Sequence, residues 1–358
     1  MYKDYTIRSV DKVEASPLGL NIPINQGFYP QESGKVERFE STLTTEYWEY
    51  RQKWVDYPKH NIVGDFPINV DFEVTNACNL KCTMCPRTNM IKKGTFYEIG
   101  QISLETYKRI VDEGVPLGLC AVKHNFMGEP LMHPQLVDMI RYSKQAGVLD
   151  VMFNTNATLL TEEKSRELIK SGLDKIFFSF DSPYKEKYEA IRIGADYDEV
   201  LNNIKRFGEI RDEMGSIKPL TRVSMVVTKE SIEDKDAFKK LFEPIVDVIA
   251  FIDFMSHVGM NREKDMLVEK KASETKYCCP QPWQRMIIHP DGLVSPCCGN
   301  SNRSLKMGNI FEQSAHEIWV GEAFQRLREL HASGRFEEIP TCAACPLSKY
   351  ESELKCPK

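Results

Sequence analysis

Eleven cysteines stand in this chain of 358 residues, and their spacing is the first feature with chemical content. They occupy positions 78, 82, 85, 120, 278, 279, 297, 298, 342, 345 and 356, so three fall within eight residues and seven lie beyond position 277. With no export signal at the start of the chain, bunching of this kind reads as metal ligation rather than a disulfide framework. Cys78-x3-Cys82-x2-Cys85 can deliver three thiolates from a single turn. Three thiolates leave one corner of an iron–sulfur cubane open, whereas zinc would need a fourth ligand nearby. Further along, Cys279 and Cys297 flank the Asp291-Gly292 turn and Cys342-x2-Cys345 follows. An Asp-Gly turn folds a hairpin back on itself and brings such thiolates together. Four thiolates hold either tetrahedral zinc or a closed cubane, and spacing alone does not separate these. Cys278 adjoins Cys279 and competes with it for the first place, Cys298 adjoins Cys297, and Cys120 and Cys356 read as bystanders.

The elements that must position these groups follow a rhythm of strand and helix. Strand-like runs cover 68–74, 119–126, 149–156, 174–180, 221–227 and 246–255, separated by helical segments such as LETYKRIVDEG and TEEKSRELIKSG. Six strands with five intervening helices predict parallel strands with crossovers, in an incomplete barrel or a doubly wound sheet. Either puts the ligand site at the C-terminal strand ends. Those ends are Thr75–Cys85, Gly128–Pro130, Asn154–Asn156, Ser179–Ser182 and Thr228. Thr161 should cap one helix and Gly172 end it. Before the barrel, Thr44–Tyr57 predicts a helix that packs through Tyr47, Tyr50 or Arg51, and Trp54 and stops at Pro58. The expected organisation is an N-terminal extension (1–65), the β/α unit (66–256), a polar linker (257–276) and a cysteine-rich unit (277–358).

The segment VTNACNLKCTMCPR resembles the signature of the radical S-adenosylmethionine (radical SAM) superfamily. The resemblance implies a partial (β/α)6 barrel in which Cys78, Cys82 and Cys85 hold a [4Fe-4S] cluster whose remaining iron binds SAM. Reductive cleavage of SAM then yields a 5'-deoxyadenosyl radical that abstracts hydrogen from a substrate. Gly128-Glu129-Pro130 resembles the family's GGEP segment, which receives the SAM amino group, with Met127 in place of the first glycine. By the same resemblance Met84 lies near adenine through its backbone. Asn154 and Asn156 lie near the ribose or substrate, and Ser179 and Asp181 at the ribose. Arg222 and Ser224, on one strand face, meet the SAM carboxylate. The C-terminal region, through MGNIFEQSAHEIWVGEAFQRLRELHASGRFEEIPTCAAC, resembles the SPASM extension of these enzymes. No Cys-x5-Cys-x3-Cys continuation follows Cys345, which matches the shortened, twitch-like form with one auxiliary cluster. Cys279, Cys297, Cys342 and Cys345 are then its ligands, for two [4Fe-4S] clusters in all.

His124, Asp253 and His257 are the expected polar contacts to substrate, with Lys123 on the face opposite His124 as the alternative inward side chain. A formal net charge of -5 argues against a broad polyanion-binding surface, so no nucleic acid is expected as partner. No run of 18 apolar residues exists for a bilayer, no signal-peptide core precedes the extension, and the cytoplasm is the expected location. The expected substrate is a small hydroxyl-bearing metabolite, a carbohydrate or aminocyclitol, oxidised by dehydrogenation. Epimerisation or dehydration of a sugar and radical modification of a peptide are the alternatives. The expected protein partner is a low-potential donor such as flavodoxin or ferredoxin.

Overall fold

The computed structural model describes residues 25–30, 34–254 and 279–345. His257, Cys278, Cys356 and the expected linker over 257–276 lie outside the described residues. Ten strands form one sheet among them. They are β1 (Asn25–Pro30), β2 (Asn69–Phe72), β3 (Ala121–Lys123), β4 (Asp150–Thr155), β5 (Lys175–Ser179), β6 (Leu220–Val227), β7 (Val248–Asp253), β8 (Arg285–Ile288), β9 (Leu293–Ser295) and β10 (Gly308–Asn309). β2 to β7 are parallel and adjacent in chain order, the partial barrel that the rhythm predicts.

Both edges of that barrel carry strands the periodicity does not announce. β1 runs antiparallel along β7. β8, from the cysteine-rich region, runs parallel along β2, with Asn69 opposite Arg285 and Asp71 opposite Ile287. β9 and β10 then turn back in antiparallel fashion. The turn between β8 and β9 uses Gly292 at φ +81, where the left-handed backbone favours glycine. The cysteine-rich region thus extends the barrel's own sheet.

The connecting helices are α1 (Lys35–Glu40), α2 (Thr45–His60), α3 (Pro86–Lys92), α4 (Leu104–Gly114), α5 (Leu136–Ala146), α6 (Glu162–Lys170), α7 (Lys185–Ile191), α8 (Tyr197–Glu213) and α9 (Lys235–Phe242). After β8 come α11 (Ala315–Val320) and α12 (Glu322–Ala332), preceded by the single turn α10 (Gln281–Gln284) and followed by α13 (Pro340–Ala343). Local chemistry sets the ends: Thr161 Oγ1 accepts the Lys164 N–H at 3.2 Å, and Gly172 takes φ +86 after α6. α2 runs past the expected stop at Pro58 to His60, because a proline in the last turn removes one donor without blocking the two residues after it.

Every barrel strand is buried on both faces, as parallel sheets require. Val70, Phe72, Val122, Val151, Phe153, Ile176 and Phe178 point outward and form one core with helix residues such as Tyr107, Ile140, Leu168 and Phe207. The alternate residues point inward and are largely polar. The C-terminal region docks on the same layer: Glu113 of α4 accepts the N–H groups of Ala315 and His316 at 3.2 and 2.8 Å, capping α11. Trp319 Nε1 donates to Gly64 O at 2.8 Å.

Candidate functional site

The first three cysteines sit on the loop between β2 and α3, and the sequence around them folds so as to fix that loop from three sides. Lys81 and Thr83 donate their backbone N–H groups to Ile193 O and Ile191 O, at the end of α7, at 3.0 and 2.9 Å. Asn76 donates to Glu98 O and accepts from the Gly100 N–H, both at 2.8 Å, while Arg87 Nε donates to Asn76 O at 2.7 Å. Cys85 closes the loop as the cap of α3, with Pro86 at its first position. Cys78, Cys82 and Cys85 are free thiols, each within electrostatic reach of the others. Burial pushes the Cys78 thiol up and the Cys82 thiol up to about 12.

Gly128 and Glu129 tie the next strand end to this loop. A Cβ at Gly128 would stand 2.1 Å from Thr75 O and 2.7 Å from Ala77 O, so only glycine lets the two backbones meet. The Glu129 N–H donates to Ala77 O at 2.8 Å. Its buried carboxylate accepts from Leu131 N at 3.1 Å, Thr155 Oγ1 at 2.7 Å and Asn156 N at 2.8 Å. Burial raises its pKa, opposed by the hydrogen bonds from Asn156, Leu131 and Thr155 and by the nearby Arg192. Asn156 Nδ2 lies 4.0 Å from Cys78 Sγ and donates to Asn79 Oδ1 at 3.0 Å. Asp181 accepts the Val226 N–H at 3.0 Å and pairs with Arg192 at 2.6 Å, a partner the sequence reading does not single out. Ser179 and Ser224 stand opposite each other in the β5–β6 register, and Met84 is half-buried between its flanking cysteines.

A cavity of about 370 Å³ runs down the inside of the barrel from Cys85, Pro86 and Met127. Asn154, Phe177 and Arg222 line its wall, and α2 supplies Tyr50, Arg51 and Trp54. Arg222 lies over the Phe177 ring, 3.7 Å from its centroid, and burial lowers its pKa to about 9. Cys298 lines the same cavity from the other side. Its neighbour Cys297 lies within electrostatic reach of Cys279 and Cys345, and Cys342 within reach of Cys297 and Cys345. Burial pushes Cys342 up to about 12 and Cys297 well above the usual thiol range. Among the described residues, no three His, Cys, Asp or Glu side chains form a group fit for a single metal ion.

Comparison with known proteins matches two consecutive regions to family models. Residues 72–241 match the radical SAM superfamily, and residues 278–346 the SPASM iron–sulfur cluster-binding domain. The chain belongs to the radical SAM superfamily. A relative from Pyrococcus furiosus, the tungsten-containing aldehyde ferredoxin oxidoreductase cofactor-modifying protein, is 24% identical over 316 residues, covering 77% of this chain and 86% of the relative. The S-adenosyl-L-methionine-dependent 2-deoxy-scyllo-inosamine dehydrogenase of Niallia circulans is 22% identical over 281 residues, covering 77% and 91%. The crystal structure of Streptococcus suis SuiB bound to precursor peptide SuiA superposes with a TM-score of 0.54 at 16% identity, over 98% of this chain and 94% of that one. The architecture is that of a radical SAM enzyme with an auxiliary iron–sulfur domain, and its family binds iron–sulfur clusters and SAM. No helix among the described residues is long and apolar enough to cross a membrane.

Within this radical SAM barrel the structure separates the expected substrate contacts. His124 is fully buried on the helix side, where its Nε2 shares a hydrogen bond of 2.7 Å with Tyr107 Oη. Burial lowers its pKa to about 3. The expectation that His124 faces the barrel interior is therefore corrected: Lys123, one residue earlier, is the side chain that lines the cavity. Alternation along the strand is as read, but both faces of a barrel strand are buried, so period alone does not tell which is inside. Asp253 ends β7 with parity opposite to Val248 and Ile252, the cavity-lining residues of that strand. Glu73 is a further residue that sequence reasoning missed. Fully buried, it accepts from Tyr97 Oη at 2.9 and 3.0 Å and from Met127 N at 3.1 Å, and lies 2.6 Å from His289 Nδ1.

Proposed function

We propose that this chain is a radical SAM enzyme oxidising a small hydroxyl-bearing metabolite inside the barrel, with Cys78, Cys82 and Cys85 holding a site-differentiated [4Fe-4S] cluster and Cys279, Cys297, Cys342 and Cys345 an auxiliary one. The thiols fit such groups: they are free and half-buried, and they lie within electrostatic reach of one another in a set of three and a set of four, with Cys85 of the first set lining the cavity. When bound, the clusters and SAM supply a hydrogen-abstracting radical at one wall and an electron acceptor at the other. The chain's own part is positioning. Glu129, through its backbone tie to Ala77, holds the strand end against the cysteine loop, and Asn154, Asn156, Ser179, Asp181, Arg222 and Ser224 supply polar contacts toward SAM. A flavodoxin or ferredoxin is the proposed donor, and the cytoplasm the proposed location.

The observation that carries the small-metabolite reading is the floor of the cavity. α2 closes it with Tyr50, Arg51 and Trp54, while Gln284 Nε2 locks α2 to α10 by donating to Trp54 O at 2.7 Å. A cavity of about 370 Å³ with its floor covered by α2 suits a compact ligand. The Niallia circulans relative, a dehydrogenase of an aminocyclitol, supports the same class. Dehydrogenation of an alcohol removes one hydrogen as an atom, one as a proton and one further electron, giving a carbonyl. The deciding experiment incubates the anaerobically reconstituted enzyme with a deuterium-labelled metabolite extract and follows deuterium into 5'-deoxyadenosine. A labelled small molecule is expected, with a product three mass units lighter than it, or two lighter than the unlabelled compound. A product with the mass of the unlabelled compound and inversion at carbon would retire oxidation in favour of epimerisation, and a crosslinked peptide would sink the small-molecule reading.

A further inference from the structure

The charge balance of the cavity narrows the substrate class, and this step rests on the small-metabolite reading above. Five cationic side chains line the cavity, Arg51, Lys123, Lys175, Arg222 and Arg285, against two carboxylates, Asp71 and Asp150. Both carboxylates are already engaged. Lys175 Nζ lies 2.6 Å from Asp150 Oδ2, and Arg285 Nη1 lies 3.0 Å from Asp71 Oδ2. Asn69 Nδ2 adds a second hydrogen bond to Asp71 at 2.6 Å. The lining therefore carries a positive excess of three.

Arg222 is matched by its resemblance to the residue that meets the SAM carboxylate, so the unexplained cations are Arg51 and Lys123. Lys123 makes no hydrogen bond or ion-pair contact among the described residues, although it lines the cavity. Arg51 donates through Nη1 to Tyr50 Oη at 3.1 Å, while its Nε and Nη2 have no hydrogen-bond partner there. The faces of Tyr50 and Trp54 lie 5.2 and 5.6 Å from its guanidinium carbon and offset only part of its lost hydration. Asp150 and Asp71 act on Arg51 and Lys123 only from beyond ion-pair distance. Withdrawing two cations from water without an anion in contact is costly, and the cost is recovered when an anion enters. A neutral sugar leaves the excess in place, and a protonated amine worsens it.

We propose that the substrate is a hydroxylated anion whose carboxylate or phosphate is held by Lys123, with Arg51 adding to the positive field from the floor of the cavity. Lys123 is then a substrate-binding residue at the end of β3, and Arg51 gives the extension before the barrel a part in recognition.

The test titrates the reconstituted, SAM-bound full chain with gluconate, glucose 6-phosphate and glucose by calorimetry. These probes share one hydroxylated skeleton and differ in the acidic group, so the first two arms separate carboxylate from phosphate. At least one anion should bind and glucose should not. Lys123→Met should weaken anion binding by about thirtyfold, the low end for removing one partner of a buried charge pair. Lys123→Arg should retain most of it, and Arg51→Met should weaken it less than Lys123→Met. Iron content and SAM affinity, measured on the same samples, should be unchanged in all three variants. Where Lys123→Met does not fold, Lys123→Gln takes its place. Equal binding of glucose, binding of neither anion, or anion affinity unaltered at position 123 overturns the proposal. In the deuterium assay, label arriving from a neutral or amine-bearing metabolite overturns it while leaving the small-metabolite reading intact. Label arriving from a peptide overturns that reading instead, and the titration decides the anion site independently.

Discussion

In the proposed assignment the two cysteine sets hold the same chemistry in opposite ways. Cys78, Cys82 and Cys85 come from one loop, so their relative positions depend on local backbone bonds and the cap of α3. Cys279, Cys297, Cys342 and Cys345 come from segments up to 66 residues apart, and meet only once β8, β9 and α13 are in place. The local set borders the cavity through Cys85, whereas none of the other four lines it and only Cys298, next to Cys297 in the chain, does. A three-thiolate loop leaves a coordination position for a ligand, and a four-thiolate site built from long-range contacts has none to spare. By this assignment one region is built to react and the other to be complete.

Removing the loop thiols is the most drastic way to break this contrast. The triple variant C78A/C82A/C85A should lose 5'-deoxyadenosine formation entirely while keeping the C-terminal iron. Full reconstitution of the native chain should give about eight irons, two cubanes' worth, and this variant about half. Normal 5'-deoxyadenosine from the triple variant would defeat the assignment. Next in size, Cys297→Ala should also halve the iron but leave reductive SAM cleavage in place. Zinc in the native auxiliary site, or three cubanes in Mössbauer spectra, would contradict the picture.

Smaller effects probe the contacts between the two regions. Glu73→Gln should lower unfolding free energy by about 1.5–3 kcal/mol, since one accepting oxygen is replaced by an NH2 group that cannot accept from the surrounding donors. Chemical denaturation should show it, and a change below experimental error would mean that the Glu73 contacts are not stabilising. Gly128→Ala should cost about 1–3 kcal/mol, because the new Cβ meets backbone oxygens that cannot swing aside. Its SAM affinity should fall with it, and unaltered SAM binding would separate this strand end from the cysteine loop.

The smallest expected effect is a slope. Burial lowers the folded pKa of His124 from the ordinary 6.5 to about 3. Between those values the unfolded chain binds a proton that the folded chain refuses, so stability rises with pH across that window and is level above it. His133 and His331 are shifted the same way by burial. His124→Gln should flatten the curve of unfolding free energy against pH between about 3 and 6.5, and an unchanged slope would place the titration elsewhere.

What the residues disclosed and what they hid divides along the same line as the two sites. The loop cysteines, the caps at Thr161 and Gly172 and the parallel order of β2 to β7 were legible, because each depends on neighbours in the chain. The pairing of β8 with β2 was not, since nothing local in RMII says which strand it joins. The side of His124 was misjudged because Val122 and His124 alternate correctly with Lys123 on a strand whose faces are both covered. Glu73 and Arg192 were passed over for a related reason: a buried charge is explained only by its partners. Those partners, His289 and Asp181, lie 216 and 11 residues away.

The parallel pairing of β8 with β2 also bears on how the chain is made. While it is being synthesised, β2 emerges more than two hundred residues before the strand that will cover its edge. At ordinary ribosomal rates that interval is about 10–40 s. During it the barrel presents an open edge, the kind of surface on which unrelated strands nucleate. Asn69, Asp71 and Glu73 alternate along that edge and discourage apolar strangers. Arg285 and His289 later supply the matching counterparts to Asp71 and Glu73. A slip of one residue would turn Arg285 and His289 to the other face of the sheet, away from Asp71 and Glu73, so the same charges that guard the waiting edge admit its proper partner in a single register.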